Sequence, residues 1–319
     1  MSTILVTGGA GFIGAAVVRR LAQRGERVVA LDNFQSGRPQ NLEGLAANVT
    51  LVSGDVTDLS SLLQIIKRYR VQRVVHAAAI VSVVSSLAAP SQVTRVNITG
   101  VLNILEAMRL FAIERTVHLS SEEIYGPFRY EPADEEHPLA PLVPYSIAKV
   151  TAEQLGRFYR TTYQVDFINV RPSWVYGPYL PRQRIPRLLI EAALRGQSLH
   201  LPQGGDTRID HTYVEDCVEG ILLALDHPSH PYDAYNIASG EAWSVAEMVA
   251  LIRELIPGAD LSVGPGTLWY NDQLPVPRKG ALDITRARTV LGYEPRYPLP
   301  EGLAAYIEWY RHQQKQGRF

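Results

Sequence analysis

The chain opens on a repeating pattern. A short run of apolar residues is followed by a longer stretch with apolar residues every three or four positions, and the pair then recurs. The short runs are Ile4-Leu5-Val6, Arg27–Leu31, Val49–Val52, Val71–His76, Ile113–Leu119 and Val165–Val170. Between them, Phe12–Arg24 carries Val17, Val18 and Leu21 on one face, and Leu59–Tyr69 carries Leu62, Leu63 and Ile66. Val93–Phe111 carries Val101, Ile104, Leu105 and Met108; Pro144–Tyr163 starts on proline, where a missing N–H costs little. Continuous apolar strands are covered on both faces, and intervening helices make them parallel. The pattern predicts an α/β fold: a doubly wound parallel sheet with ligands at the carboxyl ends of its strands.

After Arg171 the texture changes. Pro172, Gly177, Pro178, Pro181 and Pro186 crowd a short stretch, and two later helices, Val245–Leu255 and Pro300–His312, are joined by loops such as Pro275-Val276-Pro277. This half reads as a smaller, less regular α/β substrate domain. Asp210–Val214 and Ala234–Ile237 read as strands that rejoin the main sheet. The expected division is therefore discontinuous: 1–171 plus about 207–238 for the main domain, about 172–206 plus 239–319 for the smaller one.

Composition narrows the function classes. Thirty-one basic residues against thirty-two acidic ones leave a net charge of −1, which argues against nucleic acid or a membrane surface as partner. Cys217 is the single cysteine, so no internal disulfide and no cysteine-based zinc site is expected. It reads as buried filler among Val214, Val218 and Ile221. The eight histidines are scattered without ligand spacing, and no metal is expected; His76 and His211 read as packed residues. No apolar run reaches the ~18 residues needed to span a bilayer, and the start lacks the basic segment of a signal peptide. The expectation is a soluble cytoplasmic protein.

Thr7-Gly8-Gly9-Ala10-Gly11-Phe12-Ile13-Gly14 follows the first strand and opens the first helix. Gly8 permits a tight turn, Gly11 lets backbone approach a pyrophosphate, and Gly14 allows close helix–strand packing. The helix start offers unpaired N–H groups to an anion. Asp32 ends the second strand at the distance where a carboxylate would hold a ribose 2′-OH, which favours NAD; Arg38 nearby keeps NADP open.

Tyr145 and Lys149 lie four apart on a predicted helix and so project from one face. A phenol is a poor base at neutral pH, but an adjacent ammonium and a nicotinium would favour the phenolate. Such a pair can move a proton on or off a carbinol while hydride travels to or from nicotinamide. The chain has four lysines and sixteen tyrosines, so the spacing alone is a modest signal, and a surface i,i+4 pair is the plain alternative. Ser120 and Ser121, ending the fifth strand, are expected on the ligand side, where a hydroxyl can hold the reacting oxygen.

With Gly54-Asp55-Val56-Thr57-Asp58, His76-Ala77-Ala78-Ala79, Asn97, Tyr125-Gly126, Arg171-Pro172, Tyr176-Gly177-Pro178 and Leu291-Gly292-Tyr293-Glu294-Pro295, these motifs give a specific set. Over nearly its whole length the chain resembles the extended short-chain dehydrogenase/reductase family, and in particular its NAD-dependent nucleotide-sugar epimerases and dehydratases. The resemblance implies a Rossmann main domain that binds NAD through Gly8, Gly11, Phe12, Ile13, Gly14, Asp32, Asn33, Ser36, Gly37, Asp55, Val56, Ala77, Ala78, Ala79, Asn97, Tyr145 and Lys149. Asp55 and Val56 would meet the adenine, and Asn97 would support the fifth-strand region. Ser121, Tyr145 and Lys149 would be the catalytic trio. Ser82, Trp174, Arg208 and Arg278 would face the substrate, with Arg208 gripping a diphosphate bidentately; a helix-cap or surface salt bridge is the other role for that arginine. A homodimer packed through Val93–Phe111 and Pro144–Tyr163 is implied too.

Three departures from the resemblance bear on substrate and reaction. Trp174 stands where relatives often carry an asparagine, and the Arg278–Asp283 segment is compressed. Ser121-Glu122-Glu123 resembles the acid-bearing triplet of 4,6-dehydratases and decarboxylases more than the small-residue version of 4-epimerases. A dehydratase needs a base at C5 and an acid for the C6 hydroxyl; Glu123 would be that base and Glu122 the acid, unless both are solvated loop residues. The leading expectation is a 4-epimerase acting by transient C4 oxidation. The alternatives are a 4,6-dehydratase or decarboxylase using Glu123, an NAD-dependent dehydrogenase of a small non-nucleotide sugar or sugar acid, and a non-catalytic cofactor-binding module.

Overall fold

The computed structural model describes residues 2–45, 47–81, 83–271 and 274–316. Ser82, expected to face the substrate, lies outside the described residues. In chain order the elements are β1 (Thr3–Thr7), α1 (Phe12–Gln23), β2 (Arg27–Asp32), β3 (Val49–Ser53), α2 (Leu59–Tyr69), β4 (Val71–His76), α3 (Val83–Ala88), α4 (Pro90–Leu110), β5 (Arg115–Leu119), α5 (Pro144–Tyr163) and β6 (Phe167–Pro172). There follow α6 (Arg187–Leu194), β7 (Leu199–Leu201), β8 (Arg208–Ile209), α7 (Val214–Asp226), β9 (Ala234–Ile237), β10 (Trp243–Ser244), α8 (Val245–Leu255), β11 (Leu261–Val263), β12 (Trp269–Asn271), β13 (Leu274–Pro275) and α9 (Leu299–Lys315).

Seven strands form one sheet in the order β3-β2-β1-β4-β5-β6-β9, every neighbouring pair parallel. Ile4, Leu5, Val6, Val74, Val75, Val117 and Ile168 are fully buried because helices cover both faces. One face packs on α1 and α7 through Val17, Val18, Leu21, Val218 and Ile221; the other packs on α2 and α4 through Leu62, Ile66, Val101 and Ile104. The strand order reverses between β1 and β4, and that is where a doubly wound sheet opens its ligand crevice.

A separate apolar cluster joins Leu189, Ile190, Met248, Ile252, Leu303, Tyr306 and Tyr310, from α6, α8 and α9, to Tyr176. Its buried members all come from the chain that follows β6. Ala234–Ile237 rejoins the main sheet beside β6, as its apolar run suggests. Asp210–Val214 does not. Arg208–Ile209 pairs antiparallel with Trp243–Ser244 outside the main sheet, Tyr213 makes an isolated parallel bridge to Tyr176, and α7 begins at Val214. Glu215 and Asp216 in the first turn favour that helix start through the helix dipole. The Asp210 carboxylate ties the intervening loop down by accepting from the N–H groups of Ser239, Gly240 and Leu282.

Candidate active site

The crevice between β1 and β4 is shaped by glycines. A Cβ on Gly14 would stand 2.0 Å from the Gly8 carbonyl oxygen, and one on Gly8 would stand 2.9 Å from Ala78 Cα. Gly8 also takes a φ of +65°, where a side chain is strained. The backbone can therefore turn tightly between the two strands only with glycine at both positions. The first turn of α1 has no side-chain cap and no acidic residue, so its N–H groups and positive dipole end stay available to an anion. This is a cradle that fits a dinucleotide's diphosphate.

Asp32 is buried and accepts from Ala10 N at 3.0 Å and Phe34 N at 2.8 Å, which fixes the carboxylate beside the glycine loop. A Cβ on Gly37 would sit 2.6 Å from the same carboxylate, so that glycine makes room for it. Ser36 is exposed beside it. Asn33 donates to Asp55 Oδ2 at 2.9 Å. Burial opposes ionisation of Asp55, but donors from Thr57 and Asn33 outweigh it and hold the carboxyl below its ordinary range. Val56 is buried, its carbonyl held by Asn103 at 2.8 Å. Ala77 and Ala78 follow β4 and bond to Thr7 through O and Oγ1; Ala79 continues this half-buried edge. Asn97 braces the segment after β4, accepting from Ile80 N at 2.8 Å and donating to Ile80 O at 3.1 Å. Its partner is thus the loop after the fourth strand, not the fifth-strand region, because α4 runs past β4 first.

On α5, Tyr145, Lys149 and Glu153 succeed one another at four-residue steps on a buried face. The Tyr145 phenol hydrogen-bonds to the Ser121 hydroxyl, which also accepts from Glu123 N at 3.2 Å. Burial pushes the phenol up to about 12; Ser121 and the Arg182 charge pull it down, and Glu123 and Glu122 push it up. Lys149 Nζ lies 6.0 Å from the Tyr145 ring centre and turns to Leu119 O and, at 3.4 Å, to His118 Nε2. Burial lowers its pKa to about 7, partly opposed by Glu153. Burial thus sets the direction of the shift, and the cation that opposes it is Arg182 rather than the Lys149 ammonium.

Ser120 points away from the reacting side. Its hydroxyl donates to Glu153 Oε1 at 2.5 Å, inside a buried pair of Glu153 with Arg171 at 2.6 Å. The expected ligand-side role therefore stays with Ser121 alone, since successive residues on an extended chain face opposite ways. Arg171 also donates to Tyr125 Oη at 3.0 Å, and Tyr125 donates to Asn236 Oδ1 at 2.7 Å, which ties β5, β6 and β9 together beneath the site.

Opposite Tyr145 the two glutamates meet partners that the sequence did not announce. Lys279 Nζ donates to Glu122 Oε2 at 2.6 Å and to Glu123 Oε2 at 3.1 Å. Trp174 Nε1 donates to Glu122 Oε1 at 3.1 Å, and Tyr270 Oη donates to Glu123 Oε1 at 2.6 Å. All four carboxylate oxygens are engaged, so neither glutamate is a solvated loop residue. Burial, with the Glu123 charge, raises Glu122 to about 7 against the pull of Lys279 and Trp174. Trp174 takes a φ of +25° and stacks on Tyr270, its ring centre 6.1 Å away, while His211 meets its edge at 5.9 Å. Its indole fills the space between loop and cleft.

Of the two arginines expected at the substrate, Arg208 is half-exposed and bonded to Ala242 O and, at 3.2 Å, to Glu247, the residue that closes the α8 capping box with Ser244. Arg278 is exposed, its carbonyl accepting from Phe128 N at 2.9 Å. The structure brings neither of them to the glutamates. It brings Lys279 and Tyr270 there instead, with the Arg184 charge within reach of Glu123 and the Arg182 charge within reach of Tyr145. Only Lys279 left a trace in the sequence, as one of four lysines standing in the compressed segment.

A glycine-turned crevice at the strand-order reversal, with a tyrosine–serine–lysine set at its mouth, defines a dinucleotide-dependent enzyme of the short-chain dehydrogenase/reductase type. Residues 4–238 match the model of the NAD dependent epimerase/dehydratase family, and the chain belongs to that family, with NAD as its cofactor. It is 32% identical over 315 residues to a UDP-glucose 4-epimerase of Mycolicibacterium smegmatis, covering 97% of this chain and 98% of that protein. The UDP-glucose 4-epimerase of Thermotoga maritima, solved with UDP-glucose, superposes with a TM-score of 0.89 at 31% identity over 98% of this chain and 99% of the other. A dTDP-glucose 4,6-dehydratase of Bacillus anthracis, solved with NAD, gives 0.87 at 28% identity over 99% and 98%. No helix among the described residues is long and apolar enough to cross a membrane.

Proposed function

We propose that this chain is a nucleotide-sugar 4-epimerase. One observation carries the choice: every carboxylate oxygen of Glu122 and Glu123 is held by Lys279, Trp174 or Tyr270, while the Tyr145 phenol is hydrogen-bonded to the Ser121 hydroxyl and to neither glutamate. Elimination across C5 and C6 needs a free base and a free acid in addition to the tyrosine; C4 oxidation and reduction needs only the Tyr145 phenol as base and acid. When bound, NAD supplies the hydride acceptor and a positive ring beside the phenol. Tyr145 Oη would take the C4 hydroxyl proton and later return it, and Ser121 would hold the oxygen during both transfers. Lys149, itself near neutrality at about 7, would serve the phenol's environment rather than substrate contact. The UDP-glucose 4-epimerase relatives support the same choice.

A dehydratase is the second reading, favoured by Glu123 sharing Lys279 with Glu122, whose pKa near 7 suits proton traffic at neutral pH. Incubating the NAD-loaded protein with UDP-glucose and dTDP-glucose and following products by NMR separates the two. A C4-inverted sugar with an intact C6 hydroxyl supports the epimerase. A 4-keto-6-deoxy product, abolished in Glu123→Gln, supports the dehydratase, and no change in any nucleotide sugar refutes both.

The same reading includes a cytoplasmic homodimer. Leu110 on α4 and Ile147, Phe158 and Tyr163 on α5 are large apolar side chains left exposed on neighbouring helices, a patch suited to a second copy. Phe158→Glu should shift the mass measured by light scattering from dimer to monomer.

A further inference from the structure

Several buried or half-buried cations among the described residues have a carboxylate beside them: Arg171 with Glu153 at 2.6 Å, Lys279 with Glu122 at 2.6 Å, Arg115 with Asp166 at 2.6 Å, Arg187 with Glu191 at 2.7 Å. Among the described residues, burial disfavours the charge of three lysines and arginines with no such partner: Lys149, Arg182 and Arg184. Lys149 stands at the cofactor crevice. The other two stand together on the loop between β6 and α6.

Arg184 lies over the Trp174 ring at 5.4 Å and donates to Val175 O at 2.8 Å, and its Nε is sealed from solvent with no hydrogen-bond partner. Arg182 has no ion-pair partner among the described residues. The Arg182 charge acts on the Tyr145 phenol, and the Arg184 charge acts on Glu123, Tyr145 and Tyr270. Glu123, the carboxylate within electrostatic reach, is already held by Tyr270 at 2.6 Å and Lys279 at 3.1 Å, so it does not turn to either arginine. Two guanidiniums that repel one another, one with an orphaned N–H, are costly unless something anionic completes them.

We propose that Arg182 and Arg184 form an oxyanion subsite for the substrate at the Tyr145 end of the cleft. It would take either a carboxylate carried by the reacting sugar or a phosphate oxygen of the nucleotide. The proposal rests on the nucleotide-sugar reading above and gives it a substrate class. Stacking on Trp174 holds the Arg184 guanidinium plane fixed, so its free N–H groups are preorganised rather than searching. The subsite also gives Trp174 a purpose beyond filling space.

The test uses NAD-loaded protein carrying Tyr145→Phe, which stops turnover, with Arg182→Gln or Arg184→Gln added. UDP, UDP-glucose and UDP-glucuronic acid are titrated calorimetrically. A carboxylate ligand predicts that each arginine variant weakens UDP-glucuronic acid by about 30-fold or more while leaving the other two probes nearly unchanged. A phosphate ligand predicts that all three probes weaken together by a similar factor. Unchanged affinity for all three probes overturns the subsite while leaving the nucleotide-sugar reading intact. Failure of the parent protein to bind any probe overturns that reading and the subsite with it. Among the described residues the Arg182 side chain makes no hydrogen bond, so the ligand-free melting temperature of Arg182→Gln should not fall; a loss of binding with that temperature preserved is not a folding defect.

Discussion

Lys279 Nζ lies 2.6 Å from Glu122 Oε2, and the two side chains are each only 2% exposed. Removing one member of such a pair leaves a buried charge without compensation, at a cost of about 3–5 kcal/mol. Lys279→Met should therefore lower the unfolding free energy by about that much in urea titrations. Glu122→Gln combined with Lys279→Met should recover most of the loss, because the second change removes the orphaned charge. A double variant no more stable than Lys279→Met would show that the lysine supports the fold in some other way.

Glu122 gives the fold a pH dependence of defined sign. Its pKa rises from 4.5 to about 7 on folding, chiefly through burial. Between those values the folded chain holds the proton that the unfolded chain has released, so this residue's contribution to stability declines as pH climbs through that window. Above about 7 both states are ionised and the contribution is flat. Glu122→Gln should remove that slope, measured as the difference in unfolding free energy between parent and variant at pH 5 and pH 7.

The contrast between the two halves of the site is instructive. The dinucleotide crevice was legible because its requirements are local. Gly8, Gly11 and Gly14 act within one strand-turn-helix unit, and Tyr145 and Lys149 within one helix, so spacing along the chain is spacing in space. The partners of Glu122 and Glu123 come from residues 174, 270 and 279, far along the chain and on loops, where no periodicity marks them. Ser120 misled because two adjacent serines look alike in sequence, whereas the backbone turns one to Glu153 and the other to Tyr145. Asp210–Val214 misled because five residues are too few to separate a strand from a helix start.

Gly14 is the position where the crevice tolerates least. Its Cβ would fall 2.0 Å from the Gly8 carbonyl oxygen, a backbone atom that cannot swing aside. Gly14→Ala must move α1 away from the turn, at about 1–3 kcal/mol in stability. The N–H groups at the start of α1 move with it, so the larger effect should be on cofactor binding. Purified Gly14→Ala should release far less NAD on denaturation than the parent. A variant with full NAD content would show that α1 does not set the diphosphate site.

Lys149 makes the opposite linkage prediction from Glu122. Its pKa falls from 10.5 to about 7 because burial disfavours the ammonium, with Glu153 offsetting part of that. Between about 7 and 10.5 the unfolded chain binds a proton that the folded chain does not, so the lysine's contribution to stability rises with pH across this range. Below about 7 the folded state must carry the buried charge, and its cost is fully present. Lys149→Met should therefore stabilise the cofactor-free protein at pH 6 by an amount of order a few kcal/mol, with the gain shrinking steadily toward pH 10. Urea unfolding of parent and variant at pH 6, 8 and 10 measures it. A gain that does not change with pH would mean that Lys149 keeps its ordinary affinity for the proton. The same variant should lose turnover even as it gains stability, which places this lysine among the residues that trade fold stability for chemistry.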